Sequence, residues 1–198
     1  MLKTFAAAAL ALAFAAPVQA QTPAAVQSGV YKVEPDHTRV LFSLSHLGFT
    51  TYYGEFDGAA GTLKLDAASP AASQLDVTVP VTGVTTPSAK LNGELVSADW
   101  FDAAKYPAIS FHSTSVTVTG PNTADVAGDL TMHGVTKPVV LKAKFNRGAT
   151  NPMDQRYTIG FEVSGEVKRS DFGVSKYVPM VGDAVTLIIS AAFEKTGA

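Results

Sequence analysis

No cysteine occurs in the 198 residues. Disulfide staples, thiolate metal sites and the lipid-modified N-terminal cysteine of a lipoprotein are therefore excluded. The fold has to hold by packing alone. Charge is also scarce: 16% of residues are Asp, Glu, Lys or Arg, and the net charge is −2. The fifteen Lys and Arg residues are scattered along the chain, which argues against nucleic acid as a partner, because a phosphate backbone requires a basic patch. Gly-x-Ser-x-Gly and His-Glu-x-x-His are missing, and the four histidines stand in separate segments. No nucleophile or metal cluster is implied, so the expectation is a non-enzyme without catalytic residues, metal or cofactor. A metal-dependent hydrolase built on the histidines is the weaker alternative.

What is present begins with an export signal. Lys3 precedes an Ala/Leu/Phe run from Phe5 to Ala16, followed by Pro17-Val-Gln-Ala20, whose small terminal residue suits signal-peptide cleavage. The run is too short to span a bilayer, and no later segment supplies about 18 uninterrupted apolar residues, so no transmembrane span is expected. Residues 1–20 read as signal peptide, 21–29 as a flexible leader rich in Ala, Pro, Gln and Thr, and 30–196 as one domain.

Period-two alternation dominates that domain. Val40, Phe42, Leu44 and His46 share one face, as do Leu75, Val77, Val79 and Val81; similar rows recur through Ile109/Phe111, Leu130/Met132, Val139/Leu141, Phe161/Val163 and Leu187/Ile189. Gly, Pro, Asn and Asp punctuate them. Eight to ten closely spaced strands favour an antiparallel barrel or sandwich over βαβ units. The fold class is mainly β. One interval departs from the pattern: Ser88 to Pro107 reads as one or two short helices, with Ser97 as an N-cap and Gly93 opposing a single long helix.

Several segments occur in a telling order. Asp36-His37-Thr38-Arg39 leads into VLFSLSHLGF; Gly54-Glu-Phe-Asp-Gly58 follows, then LNGELVSADWFDAAKYPAISFHST, GDLTMHGVTKPVVL and RSDFGVSKYVPMVGDAVTLIISAAFE. Together they resemble the YceI-like family of bacterial proteins, from about Val30 to Glu194. The resemblance implies an extended lipocalin-like antiparallel barrel of about eight strands around a long apolar cavity. It also implies a long-chain amphiphile as ligand, a polyisoprenoid such as an isoprenoid quinone or prenyl phosphate, held by a periplasmic carrier. Homodimers and transient contact with a membrane or membrane protein are further expectations by analogy.

An eight-stranded barrel has room either to be filled by its own side chains or to hold one small ligand. A packed interior, serving a structural or interaction role, is thus the alternative. Were a tail bound, ten buried methylenes would supply up to about 8 kcal/mol before ordering costs, enough for roughly micromolar affinity.

Parity sorts the polar candidates. His46 ends an inward row, as a rim residue satisfied by a carbonyl or as a ligand contact. Counting in twos from Phe161 aims Arg169 at the apolar side, where a cation needs a partner. Asp171 or another carboxylate is expected for a structural role, a phosphate or polar head group for a functional one. His37 reads as turn chemistry with Asp36 as a candidate partner, His112 as outward-facing, and His133 as the polar edge of a turn in which Gly134 supplies positive φ. The expected cavity or mouth set is Phe42, Leu44, His46, Phe56, Phe111, Leu130, Met132, Phe161, Val163 and Arg169.

Overall fold

Side chains alternate inward and outward through most of the chain in the computed structural model, which describes residues 25–197. The signal peptide expected at 1–20 lies outside the described residues, as does the start of the leader. From Val26 onward the chain is engaged: Val26 packs against the cluster around Tyr31, and Ser28 Oγ accepts a hydrogen bond from Ala67 N.

Eleven strands form among the described residues: β1 (Gly29–Val33), β2 (Arg39–His46), β3 (Thr50–Phe56), β4 (Ala60–Leu65), β5 (Gln74–Pro80), β6 (Val84–Thr85), β7 (Ala108–Gly120), β8 (Thr123–Met132), β9 (Val135–Thr150), β10 (Tyr157–Lys168) and β11 (Ala184–Lys195). They make only eight staves. The pairs β1/β2, β3/β4 and β5/β6 are each one long strand interrupted at its middle, because β1 pairs β4 while β2 pairs β3, and β4 pairs β5 while β3 pairs β6. The order then continues β5, β7, β8, β9, β10, β11, and β11 returns to both β2 and β1. Every pairing is antiparallel. The result is a closed up-and-down barrel, which removes the exposed edges an open sheet would present.

Two of the three interruptions fall beside a residue that has no donor for the ladder. Pro35 follows β1 and Pro80 ends β5, and neither carries an N–H to extend the ladder. Other bonds repair the gaps: Glu34 N donates to Ala192 O at 2.9 Å and Asp57 N to Gly83 O at 3.0 Å. The Thr38 hydroxyl also accepts from Ala192 N at 3.0 Å, doing the work of a backbone carbonyl.

Among the described residues a single α-helix, α1 (Ala89–Leu95), interrupts the β pattern, capped by Ser88 Oγ, which accepts from Leu91 N. Ser97 does not start a second helix. Its hydroxyl donates to Glu94 O at 2.6 Å and helps close α1, after which turns with Asp102 at φ +47° carry Trp100 and Phe101 inward. Burying those two rings outweighs one more turn of helix. No helix among the described residues is long and apolar enough to cross a membrane.

The two barrel ends differ. At the α1 end lie α1, the β2–β3 and β8–β9 turns and the connection from Arg169 to Asp183; here Phe56, Val84, Leu95, Trp100 and Val174 pack together beside Met132, Val167, Phe172 and Val185. At the opposite end, Tyr31, Leu63, Ile159 and Phe193 close the side formed by β1, β4, β10 and β11. Burial pushes the Tyr31 phenol up to about 12, with Tyr157 adding to the effect, and its hydroxyl donates to Gln27 O.

Candidate functional site: an apolar cavity

Between these ends the barrel is not filled. A cavity of about 330 Å³ runs through it, at the lower edge of the range of small-molecule sites. Leu130, Leu141, Val163 and Leu187 sit on its inner wall yet keep intermediate exposure. The surface they show is the cavity's own.

Nine of the ten sequence candidates line it: Phe42, Leu44, Phe56, Phe111, Leu130, Met132, Phe161, Val163 and Arg169. Glycines help keep the lumen open. A Cβ on Gly54 would run into the Phe42 ring, and one on Gly128 into the Phe111 ring. Each aromatic therefore stacks over a bare patch of its neighbouring strand.

His46 is the one candidate outside the cavity lining. It keeps the parity of Phe42 and Leu44, but the cavity ends at Leu44 on that row. Beyond it, the β2–β3 hairpin rises past the barrel wall: His46 bridges to Val181, and its ring packs against Tyr52 at 5.9 Å. Parity fixes a face, not a depth.

Arg169 is 4% exposed and inward, as counting in twos predicts, because β10 pairs with β11 without interruption through Gly165. Its partners are not carboxylates. Asp171 is exposed, and the guanidinium instead donates to four backbone carbonyls: Nε to Gly182 O (2.9 Å), Nη1 to Val174 O (2.7 Å) and Lys176 O (2.9 Å), and Nη2 to Val181 O (2.7 Å). The physical reason is topological. β10 ends in the 3-10 turn Arg169–Phe172, and the chain then wraps from Val174 to Gly182 around the side chain, so that its own carbonyls converge there. Burial pulls the guanidinium's pKa down from its ordinary value while Asp183 opposes that. Asp183 in turn is held below the usual aspartate range, chiefly by the Ser170 hydroxyl (2.7 Å) and Ser170 N (2.9 Å).

Trp100 and Phe101 both face the lumen. The Arg169 guanidinium lies over the Trp100 ring at 5.7 Å, Tyr177 packs edge-on against Trp100 at 6.1 Å, and Phe101 meets Phe56 edge-on at 5.6 Å. The α1 end is a plug of interlocked rings around one cation.

The other histidines are structural in their contacts. His133 takes φ +52° and Gly134 φ +75° in the β8–β9 turn; the imidazole Nδ1 donates to Phe172 O at 3.1 Å, and its ring meets Tyr106 edge-on at 5.0 Å. His37 bonds Glu34 rather than Asp36, at 2.6 Å, because the Glu34 carboxylate also caps Asp36 N and His37 N. His112 faces outward and pairs with Asp76 on the neighbouring strand. Among the described residues, no group of three or more His, Asp or Glu side chains is placed to hold a metal ion.

Sequence reasoning missed the residues at the cavity's ends. Leu95 and Val174 seal one end, while Pro70, Ser73 and Gln74 line the other. All five lie in or beside connections, where alternation carries no signal.

This geometry defines a class: a closed antiparallel barrel built around a lipophilic cavity. The YceI-like domain matches residues 31–193, and the chain belongs to the YceI-like family. It is 40% identical over 161 residues to a UPF0312 protein of Pseudomonas savastanoi, covering 81% of this chain and 82% of that one. It is also 40% identical over 162 residues to protein YceI of Escherichia coli, covering 81% and 84%. Among solved structures, Burkholderia cenocepacia BcnA shares the fold with a TM-score of 0.73 at 24% identity, over 81% of this chain and 98% of that one. A polyisoprenoid binding domain from Saccharophagus degradans shares it with a TM-score of 0.63 at 14% identity, over 85% and 99%.

Proposed function

We propose that this protein binds one long-chain amphiphile, a polyisoprenoid such as an isoprenoid quinone or prenyl phosphate, and carries or sequesters it in the periplasm after export. The observation that carries the reading is the cavity: an eight-stave barrel whose inward rows leave an apolar lumen instead of meeting at its centre. An apolar lumen of this kind gains by taking up a hydrocarbon tail, at about 0.8 kcal/mol per buried methylene. The polyisoprenoid binding domain with the same fold supports the choice of ligand, and the apolar run before Ala20 supports export. A barrel with a packed interior would have no such lumen.

The test is organic extraction of protein purified from its native periplasm, followed by mass spectrometry. One long-chain molecule per protein is expected. Repeated recovery of lipid-free protein that also refuses lipophilic ligands would overturn the reading.

A further inference from the structure

Two residues of the cavity wall are exposed to solvent: Pro70, in the connection leading into β5, and Gln74, the first residue of β5. At the α1 end Leu95, Trp100, Arg169 and Val174 are buried, and Phe101 and Leu44 are only partly accessible. The strand ladder is also incomplete near Pro70. β5 pairs with β7 from Asp76↔His112 to Pro80↔Ala108, whereas β7 runs on to Gly120; beyond His112 the short 3-10 turn Pro70–Ala72 stands beside it in place of a strand. Ser113 Oγ accepts from Leu75 N where the ladder stops, at 2.8 Å. The cavity lining thus reaches solvent where the wall lacks a paired strand, at the Pro70–Gln74 segment beside β7.

The chemistry of the two ends differs as well. Arg169 is the single charged side chain on the cavity wall, and its guanidinium is already engaged by four carbonyls and the Trp100 face. The opposite end is lined by Pro70, Ser73 and Gln74, all uncharged, and beside them Lys64, which pairs with Gln74, and Asp66, whose N–H donates to Ser73 Oγ, oppose one another in sign.

We infer that the amphiphile enters tail first through the Pro70–Gln74 doorway, with its tail terminus against Trp100 and its head group left in solvent beside Gln74, so that binding reads the tail and is nearly indifferent to head-group charge. This rests on the carrier reading above and adds a direction and a selectivity to it. A head group kept in water forfeits no hydration, whereas one carried to Arg169 would be desolvated beside a guanidinium that already spends four of its five N–H donors on carbonyls.

Trp100 is the chain's only tryptophan, so the wild-type protein carries its own depth gauge. Methyl 5-doxylstearate and methyl 16-doxylstearate are added to the delipidated mature chain, with electron paramagnetic resonance reporting immobilisation of each probe and Trp100 fluorescence reporting its depth. Both probes should be immobilised, and the 16-doxyl probe should quench Trp100 at least twice as strongly. Immobilised probes with equal or reversed quenching would overturn the tail-first orientation while leaving the carrier reading intact. Probes that remain freely tumbling would overturn both.

Displacement of the bound 16-doxyl probe by farnesol and by farnesyl phosphate completes the test. Affinities within about threefold of each other, independent of salt, are expected. A tenfold or larger preference for the phosphate that fades with salt would place the head group at Arg169 and overturn the inference.

Discussion

Phe172 and Leu141 are both large apolar residues of one barrel, yet they live in different surroundings. Phe172 is 1% exposed in the plug at the α1 end, packed with Met132, Val167 and Val185. Leu141 lies on the inner wall halfway along β9 and looks into empty space. The protein thus concentrates its side-chain cohesion at the ends and leaves the middle of the barrel to be completed by something else. Stability and binding are separable here because they occupy different depths of one lumen.

The sharpest way to break that contrast is at Arg169. Arg169→Met keeps much of the volume but strips four carbonyls of their donor, and each buried group left unsatisfied costs about 1–3 kcal/mol. Allowing for water entering the opened loop, a loss of about 5 kcal/mol in denaturant-unfolding free energy is expected. A loss below about 1 kcal/mol would show that the carbonyls are readily rehydrated and that the plug is not centred on this cation.

A paired truncation measures the contrast itself. Phe172→Ala should cost about 3–4 kcal/mol, because it removes transfer energy and also opens a cavity in close-packed surroundings. Leu141→Ala enlarges a void that already exists and should cost under about 2 kcal/mol, with the larger effect appearing in ligand affinity. Equal costs in urea titrations would mean that the lumen is packed in solution.

Acid titration gives the smallest effect, again at the plug. The Asp183 pKa is depressed in the folded state, so its contribution is complete above the ordinary aspartate value of 3.8 and is lost as pH falls through the lower folded value. Stability should therefore drop less in Asp183→Asn than in the wild type between about pH 6 and about pH 3. Superimposable pH profiles of the two proteins would remove Asp183 from the account.

What the sequence revealed followed from periodicity. Alternation placed Phe42 and Leu44, Leu130 and Met132, and Phe161 and Val163 on inward faces, and the unbroken count from Phe161 carried Arg169 inside with them. Depth was illegible: nothing in the row from Val40 to His46 says that the lumen stops at Leu44. The partners of Arg169 were also hidden, because backbone carbonyls have no sequence signature and the loop that presents them closes only in three dimensions. The doorway was hidden for a related reason. Pro70 and Gln74 acquire their role because the ladder between β5 and β7 ends at Asp76↔His112, and pairing lengths are set by neighbours, not by local pattern.

The central claim is that the middle of this barrel is a binding site and not an unfinished core. Calorimetric titration of the delipidated mature chain with farnesol at several temperatures tests it most directly, with Ala143→Phe, which fills the cavity wall, as the comparison. The account predicts saturation at one ligand per chain with a negative heat-capacity change for the wild type, the mark of apolar surface leaving water, and at least tenfold weaker binding for the filled variant at unchanged stability. Saturable binding that Ala143→Phe leaves untouched, or no saturable binding by the wild type, would contradict it.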